Sequence, residues 1–129
     1  MGRKVNPIAI RIGVNKEWGA KWYAKKSDFG KVLGQDLMIR KEVTKSMKPA
    51  GVDAIQIHRN SGRVEVEVFV ARPGVAIGRG GAGIDELQKK LKRITKSNVE
   101  VKIKEVKKAD TSARVIARTI ADGIERRQP

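Results

Sequence analysis

Residues 78–84, Gly-Arg-Gly-Gly-Ala-Gly-Ile, hold most of the chemistry this sequence can offer. Without a Cβ at Gly78, Gly80 and Gly81, backbone and ligand can approach closely, and a positive φ costs little. Successive N–H groups at the start of a helix point outward, where the dipole also favours an anion. Arg79 stands inside the turn and adds a full positive charge. The ligand this combination asks for is a phosphate. Other chemistries have little to draw on. There is no cysteine, hence no disulfide and no thiolate metal site. His58 is the only imidazole and, at the end of a strand, reads as a surface or groove residue rather than a metal ligand or general base. Asp85 and Glu86 are adjacent in a predicted helix, so they point in different directions and complement the dipole instead of forming a catalytic pair. No serine lies in a nucleophile elbow. The sequence thus offers no catalytic residue, no metal site and no cofactor, and the expectation is a binding protein rather than an enzyme.

Two phosphate-binding patterns compete for the glycine turn. Gly78-x-Gly80-x-x-Gly83 is the dinucleotide fingerprint, and the strand Asn98 to Glu105 even ends in an acid about 20 residues on, as that fingerprint asks. Ile77-Gly78-Arg79-Gly80-Gly81 is also the G-x-x-G loop of a KH domain, which clamps about four nucleotides of single-stranded nucleic acid. Pro73-Gly74 leaves only Val75, Ala76 and Ile77 before the turn, too few for a central parallel strand. Val99 to Lys104 alternates apolar and charged, whereas a parallel strand covered on both faces is apolar throughout. The chain is also too short for a doubly wound sheet plus a substrate domain. These three points favour the KH loop. A turn that merely connects is the remaining reading.

The charge agrees with a polyanionic partner. Lys and Arg number 29 against 14 acids, a formal net charge of +15. Such a field attracts nucleic acid first of all. An anionic membrane is the competing surface, but the cations are spread over the whole chain and no helix is strongly apolar on its other face. No apolar run reaches spanning length and no signal sequence opens the chain. Met1-Gly2 resembles a myristoylation start, yet Asn6 stands where Ser or Thr is wanted. Neither a membrane nor a small-molecule substrate is expected as a partner. With 129 residues the chain makes one domain with an extension, and 4% aromatic content calls for an aliphatic core.

The elements that must position the turn follow from periodicity. Residues 1–26 have no sustained period and form a basic arm carrying Arg3, Lys4 and Arg11. Trp18, Trp22 and Tyr23 lie in it among lysines, either as stacking platforms for bases or as a cover that pins the arm to the domain. The Trp-x-x-x-Trp spacing favours pinning, with both rings on one side of a helical turn. A helix is predicted from Ser27-Asp28 to about Lys48, with a stripe of Phe29, Val32, Leu33, Leu37, Val43 and Met47 and a break near Gly34. Strands follow at about Val52–Arg59 and from Val64 to Val70, joined by a turn at Asn60-Ser61-Gly62. A short helical turn from Gly74 to Ile77 leads into the glycine loop. The next helix runs from Gly81 to about Lys96, with Ile84, Leu87, Leu91 and Ile94 inward and Lys89 among its outward cations. After the strand Asn98–Glu105, a last helix starts near Asp110 or Thr111, with Ala113, Ile116, Ala117, Ile120 and Ile124 as its stripe. The expected fold is α+β: a three-stranded mixed sheet with helices on one face, burying every stripe named.

This order resembles the type II KH domain. Beyond it, Met1-Gly2-Arg3-Lys4-Val5-Asn6-Pro7-Ile8-Ala9-Ile10-Arg11-Ile12-Gly13 looks like the opening of the S-three family of bacterial small-subunit ribosomal proteins. So do Lys16-Glu17-Trp18, Trp22-Tyr23-Ala24, Ala71-Arg72-Pro73-Gly74-Val75-Ala76-Ile77-Gly78 and Glu105-Val106-Lys107-Lys108. The resemblance implies a structural protein of the ribosome, in the cytoplasm, that binds small-subunit rRNA in the head. It implies a place near where messenger RNA enters, and contacts with the tenth and fourteenth small-subunit proteins. The RNA-binding residues so expected are Arg3, Lys4, Arg11, Arg72, Gly78, Arg79, Gly80, Gly81, Lys89, Lys108, Arg126 and Arg127. The domain expectation is an arm at 1–26, a KH domain at 27–109 and a C-terminal helix at 110–129 that leads, in the family, to a second domain absent from this chain. Two departures stand out. Arg79-Gly80 replaces the family's usual two basic residues, and after Arg126-Arg127, which match the approach to that second domain, the sequence stops at Pro129. The alternative is a free-standing KH protein regulating particular RNAs, which the glycine loop alone would fit and the family-like arm would not.

Overall fold

The computed structural model describes residues 2–60 and 62–127. Met1, Ser61 of the expected hairpin turn, and Gln128-Pro129 lie outside the described residues. Asn6-Pro7 opens the first helix, α1 (Pro7–Arg11): the Asn6 side chain accepts from the Ile8 N–H at 2.9 Å, and proline occupies the first turn, where no donor is needed. β1 (Ala20–Lys21), α2 (Lys26–Ser46) and a 3-10 turn at Lys48–Ala50 follow. β2 (Val52–Asn60) and β3 (Arg63–Val70) form the hairpin. Then come α3 (Pro73–Ile77), a 3-10 turn at Arg79–Gly81, α4 (Ala82–Thr95), β4 (Asn98–Glu105), a 3-10 turn at Ala109–Thr111 and α5 (Ala113–Glu125).

The sheet order is β1-β2-β3-β4, with β2 and β3 antiparallel and both outer pairs parallel. Alternation on β3 sets the core. Val64, Val66, Val68 and Val70 are all buried, and register places Val64, Val66 and Val68 opposite Val99, Val101 and Ile103. Ile57 lies opposite Val66 on the other side. Against this face pack Ile39 and Val43 of α2, Met47 just after it, and Leu87 and Leu91 of α4. Each fully buried side chain of this size contributes roughly 1.5–3 kcal/mol of transfer free energy. The opposite face is a charged ladder: Lys102 pairs with Glu65, and Lys104 with Glu67 at 2.8 Å.

The α+β architecture is as expected, with four corrections of detail. The sheet has a fourth strand, because Ala20 and Lys21 pair in parallel with Ile57 and His58. Two residues are too few to show a period; Arg40 fixes the pairing by donating to the Gly19 carbonyl at 2.5 Å and the Ile55 carbonyl at 2.8 Å. Second, α2 starts at Lys26 and runs through Gly34 without a break. Its inward face is Asp36, Ile39, Val43 and Met47, while Phe29, Leu33 and Leu37 are exposed. The true stripe passes through an acid, and a reading by apolar residues alone rotates the N-terminal half outward. Third, the cap of α5 is Ser112, whose Oγ accepts from the Val115 N–H. Fourth, the Ile116–Ile120–Ile124 stripe is not buried; no residue of α5 is. The helix docks through its other face instead. Arg114 donates to the Asp53 carbonyl, the Ser112 hydroxyl to the Asp53 carboxylate, and Lys48 pairs with Asp122 and Glu125.

Candidate nucleic-acid interface

The glycine turn is positioned by two short-range packing constraints. Gly78 has φ 72° and ψ −178°, a backbone region essentially confined to glycine. A Cβ on Gly83 would stand 3.0 Å from the Ala76 carbonyl oxygen and 3.1 Å from that of Ile77. α3 and α4 therefore cross with backbone against backbone, and the turn between them is forced outward. Gly80 and Gly81 complete it with φ 61° and 85°, facing open space. Gly81 caps α4 with no side-chain acceptor; the Ala82 N–H donates to the Arg79 carbonyl and the Gly78 N–H to the Gly74 carbonyl at 3.2 Å. Arg79 is exposed and forms no ion pair among the described residues. Beside the turn, Met47, Val75, Ala76, Gly83 and Leu87, together with Ser46, Glu86 and Lys90, line a mixed recess of about 180 Å³.

The expected RNA-binding residues fall into separate groups. Gly78, Arg79, Gly80 and Gly81 form the turn itself. Arg72, the N-cap of α3, shares a recess of about 170 Å³ with Arg126 at the end of α5. Arg118 and Lys48 line it too and went unforeseen. Lys108 belongs to a larger open cleft of about 1060 Å³, between the arm and the β4–α5 connection. Lys16, Arg40, Lys107 and Arg114 join it there; Arg40 gave no sequence signal, since a long-range fold brings it to β1 and β2. Lys89 is exposed on α4, and Arg3, Lys4 and Arg127 are exposed near the chain ends. Arg11 is exposed as well and donates to the Pro7 carbonyl at 3.3 Å. None of these residues lines the recess beside the turn.

Pairing decides which cations are available. Lys90 is held above the usual lysine range by its hydrogen bond to Glu86, Lys102 by Glu65, and Lys48 by Glu125 and then Asp122. Glu17 is held below the usual carboxylate range by Lys21. Arg59 is committed to the buried Asp36, which also accepts the Trp22 Nε1–H at 2.7 Å. Trp22 thus pins the arm, packed 5.2 Å from the Phe29 ring. The Trp-x-x-x-Trp spacing predicts that both indoles pack from one helical turn; the segment between them instead contains the strand Ala20–Lys21, and Trp18 remains 61% exposed and Tyr23 92%. Among the described residues no group of three or more His, Cys, Asp or Glu side chains could hold a metal, and no helix is long and apolar enough to cross a membrane.

Comparison with known proteins agrees with this geometry. A family model described as KH domain matches residues 38–111, more than half of the chain. Small ribosomal subunit protein uS3 of Azorhizobium caulinodans is 43% identical over 98% of this chain and 51% of the relative. The protein of the same name from Alkaliphilus oremlandii is 45% identical, over 98% of this chain and 54% of its own length. That of Staphylococcus aureus is 41% identical, with 98% and 58% covered. The chain spans about half the length of the curated relatives it matches. These relatives carry the likeness that the arm motifs pointed to.

Proposed function

We propose, for a chain that belongs to the KH domain family, a structural role in the small ribosomal subunit, binding small-subunit rRNA. The glycine turn holds a phosphate of a single strand: backbone N–H groups around Gly78–Gly81 approach it, and Arg79 supplies the charge. The basic arm adds contacts through Arg3, Lys4 and Arg11. Lys89, Lys108, Arg72, Arg126 and Arg127 supply further phosphate contacts. A division into arm (1–26), KH domain (27–109) and C-terminal helix (110–129) fits these roles. By likeness to relatives named as uS3, the finer proposal is a place in the head, near where messenger RNA enters and beside the tenth and fourteenth small-subunit proteins. The role is binding and architecture, not catalysis, and the place of action is the ribosome.

The observation that carries the proposal is a turn of three positive-φ glycines, with an arginine that forms no ion pair among the described residues, at a start of α4 that has no side-chain cap. Arg79→Asp with Gly80→Asp sets two negative charges against the phosphate. Gly80 has a left-handed backbone, which aspartate tolerates better than most residues. Affinity for short single-stranded RNA is expected to fall about tenfold or more at moderate salt, with the circular-dichroism spectrum unchanged. Unchanged affinity in a folded double variant would remove the turn from the interface.

A further inference from the structure

We infer that the cleft between the arm and the β4–α5 connection is a second RNA site, which takes a single strand by its phosphates and stacks a base on Trp18. The inference rests on the RNA-binding reading above and adds a place and a mode that the glycine turn does not supply.

The first argument is charge that nothing in the fold consumes. On the open face of the sheet, Lys102 and Lys104 are spent on Glu65, Glu67 and Glu100. Lys21, Lys48, Arg59 and Lys90 are likewise paired. The cleft differs. Lys16, Lys107 and Lys108 line it with no carboxylate within reach among the described residues. Arg40 donates to the Ile55 and Gly19 carbonyls, and Arg114 to the Asp53 carbonyl. Carbonyls fix a guanidinium in place without neutralising it, so both arrive oriented and still charged. Of the two acids in the lining, Glu17 is paired with Lys21, while Asp53 accepts from the Ser112 hydroxyl at 2.5 Å and keeps its charge, so the cations still outnumber the acids. A concave surface with such an excess of one sign attracts an incoming polyanion.

Size and an aromatic platform narrow the ligand. The cleft is open and offers about 1060 Å³, while the recesses beside α3 and α5 hold about 180 and 170 Å³. Small-molecule pockets begin at roughly 300 Å³, so the cleft has room for more than one nucleotide and these two recesses do not. Trp18 lies between two lining residues, Glu17 and Gly19, and its ring is 61% exposed. Its neighbour Trp22 shows what this arm does with an indole it needs for stability: ring packing and a hydrogen bond to a buried acid. Trp18 has neither among the described residues. An exposed aromatic whose two chain neighbours line a cationic cleft can stack a base without reading its sequence.

Titration of the intact chain with a uridine dodecamer, followed by tryptophan emission and by anisotropy of the labelled RNA, tests this. Four proteins are compared: the parent, R79D/G80D, K107E/K108E and W18F. Lys107 and Lys108 are exposed and only the Lys108 backbone takes part in the turn, so the charge reversal is expected to fold. RNA is expected to quench the parent and the glycine-turn variant. Quenching is expected to disappear in W18F, and K107E/K108E is expected to bind about tenfold or more weakly. Should K107E/K108E fail to fold, K107Q/K108Q reads the same term through the salt dependence, whose slope drops by about 1.4. Parent-like affinity in the cleft variant, or quenching lost only in the glycine-turn variant, would overturn the second site. Parent-like affinity in R79D/G80D with weakened K107E/K108E would overturn the glycine turn and leave the cleft standing. Competition by polyglutamate as strong as that by RNA of equal charge would overturn the RNA assignment in favour of an acidic protein.

Discussion

Asp36 is the inward-facing acid of α2, and three donors converge on it: Trp22 Nε1 at 2.7 Å, Arg59 Nε at 2.8 Å and Arg59 Nη2. One carboxylate thereby joins the arm, the long helix and the hairpin. Removing it strands a mostly buried guanidinium, a change that costs about 3–5 kcal/mol. Asp36→Ala is expected to lower the unfolding free energy by that amount in denaturant titration and to red-shift the emission of Trp22 as the ring loses its anchor. Gly83 sets a second, sharper condition. A methyl there meets two carbonyl oxygens of α3, at 3.0 and 3.1 Å, and backbone cannot swing away as a side chain can. Gly83→Ala is expected to cost about 1–3 kcal/mol, the range of overpacked sites. The two residues differ in legibility. The glycine turn announces itself by composition, because those φ values favour glycine. Asp36 gives no local sign, since its partners lie 14 and 23 residues away and burial of an acid runs against periodicity.

Among the elements, β3, β4 and α4 follow directly from period. Alternate valines on β3 and the Leu87–Leu91 pair on α4 are all buried. α5 shows the opposite. Its Ile116, Ile120 and Ile124 have a helical period as good as that of α4, yet face outward, Ile120 at 58% exposure. Period reveals that a stripe exists; only tertiary contacts say what covers it. Leu91→Ala is therefore expected to cost about 2–5 kcal/mol, whereas Ile120→Ser changes stability by less than about 0.5 kcal/mol. Comparable losses at both positions would mean that α5 packs by its isoleucines. The exposed ion pairs of the sheet face and of α4 add a small pH dependence. Glu65 and Glu86 are held below their ordinary 4.5 by Lys102 and Lys90, so their contribution is complete above that value and is lost as pH falls through the lowered folded-state range. Lys102 and Lys90 are held above 10.5, so theirs is present below that value and lost as pH rises past it. The thermal midpoint is expected to decline on the acid side below about 4.5, and Lys102→Met to flatten that decline modestly, since these groups are exposed.

For the whole molecule, a net charge of +15 makes binding to any polyanion favourable, so affinity alone says little. Its salt dependence says more: neutralising about six phosphates of a single strand predicts a loss of two to three orders of magnitude between about 50 and 200 mM salt. A shallow slope in gel-shift or anisotropy measurements would point to apolar or protein-dominated recognition. The arm motifs made the likeness to small-subunit proteins legible. How the arm attaches was not, because β1 is two residues long and is held by Arg40 from another element. What separates a KH module from a merely basic protein is where the strand sits. The most direct measurement is a residue-resolved NMR titration of the isotope-labelled chain with short single-stranded RNA at moderate salt. The account predicts saturable shifts of the Gly78, Arg79, Gly80 and Gly81 amides, with the Asp85 and Glu86 amides following as α4 receives the phosphate. Saturable binding that leaves those four amides unmoved would contradict it.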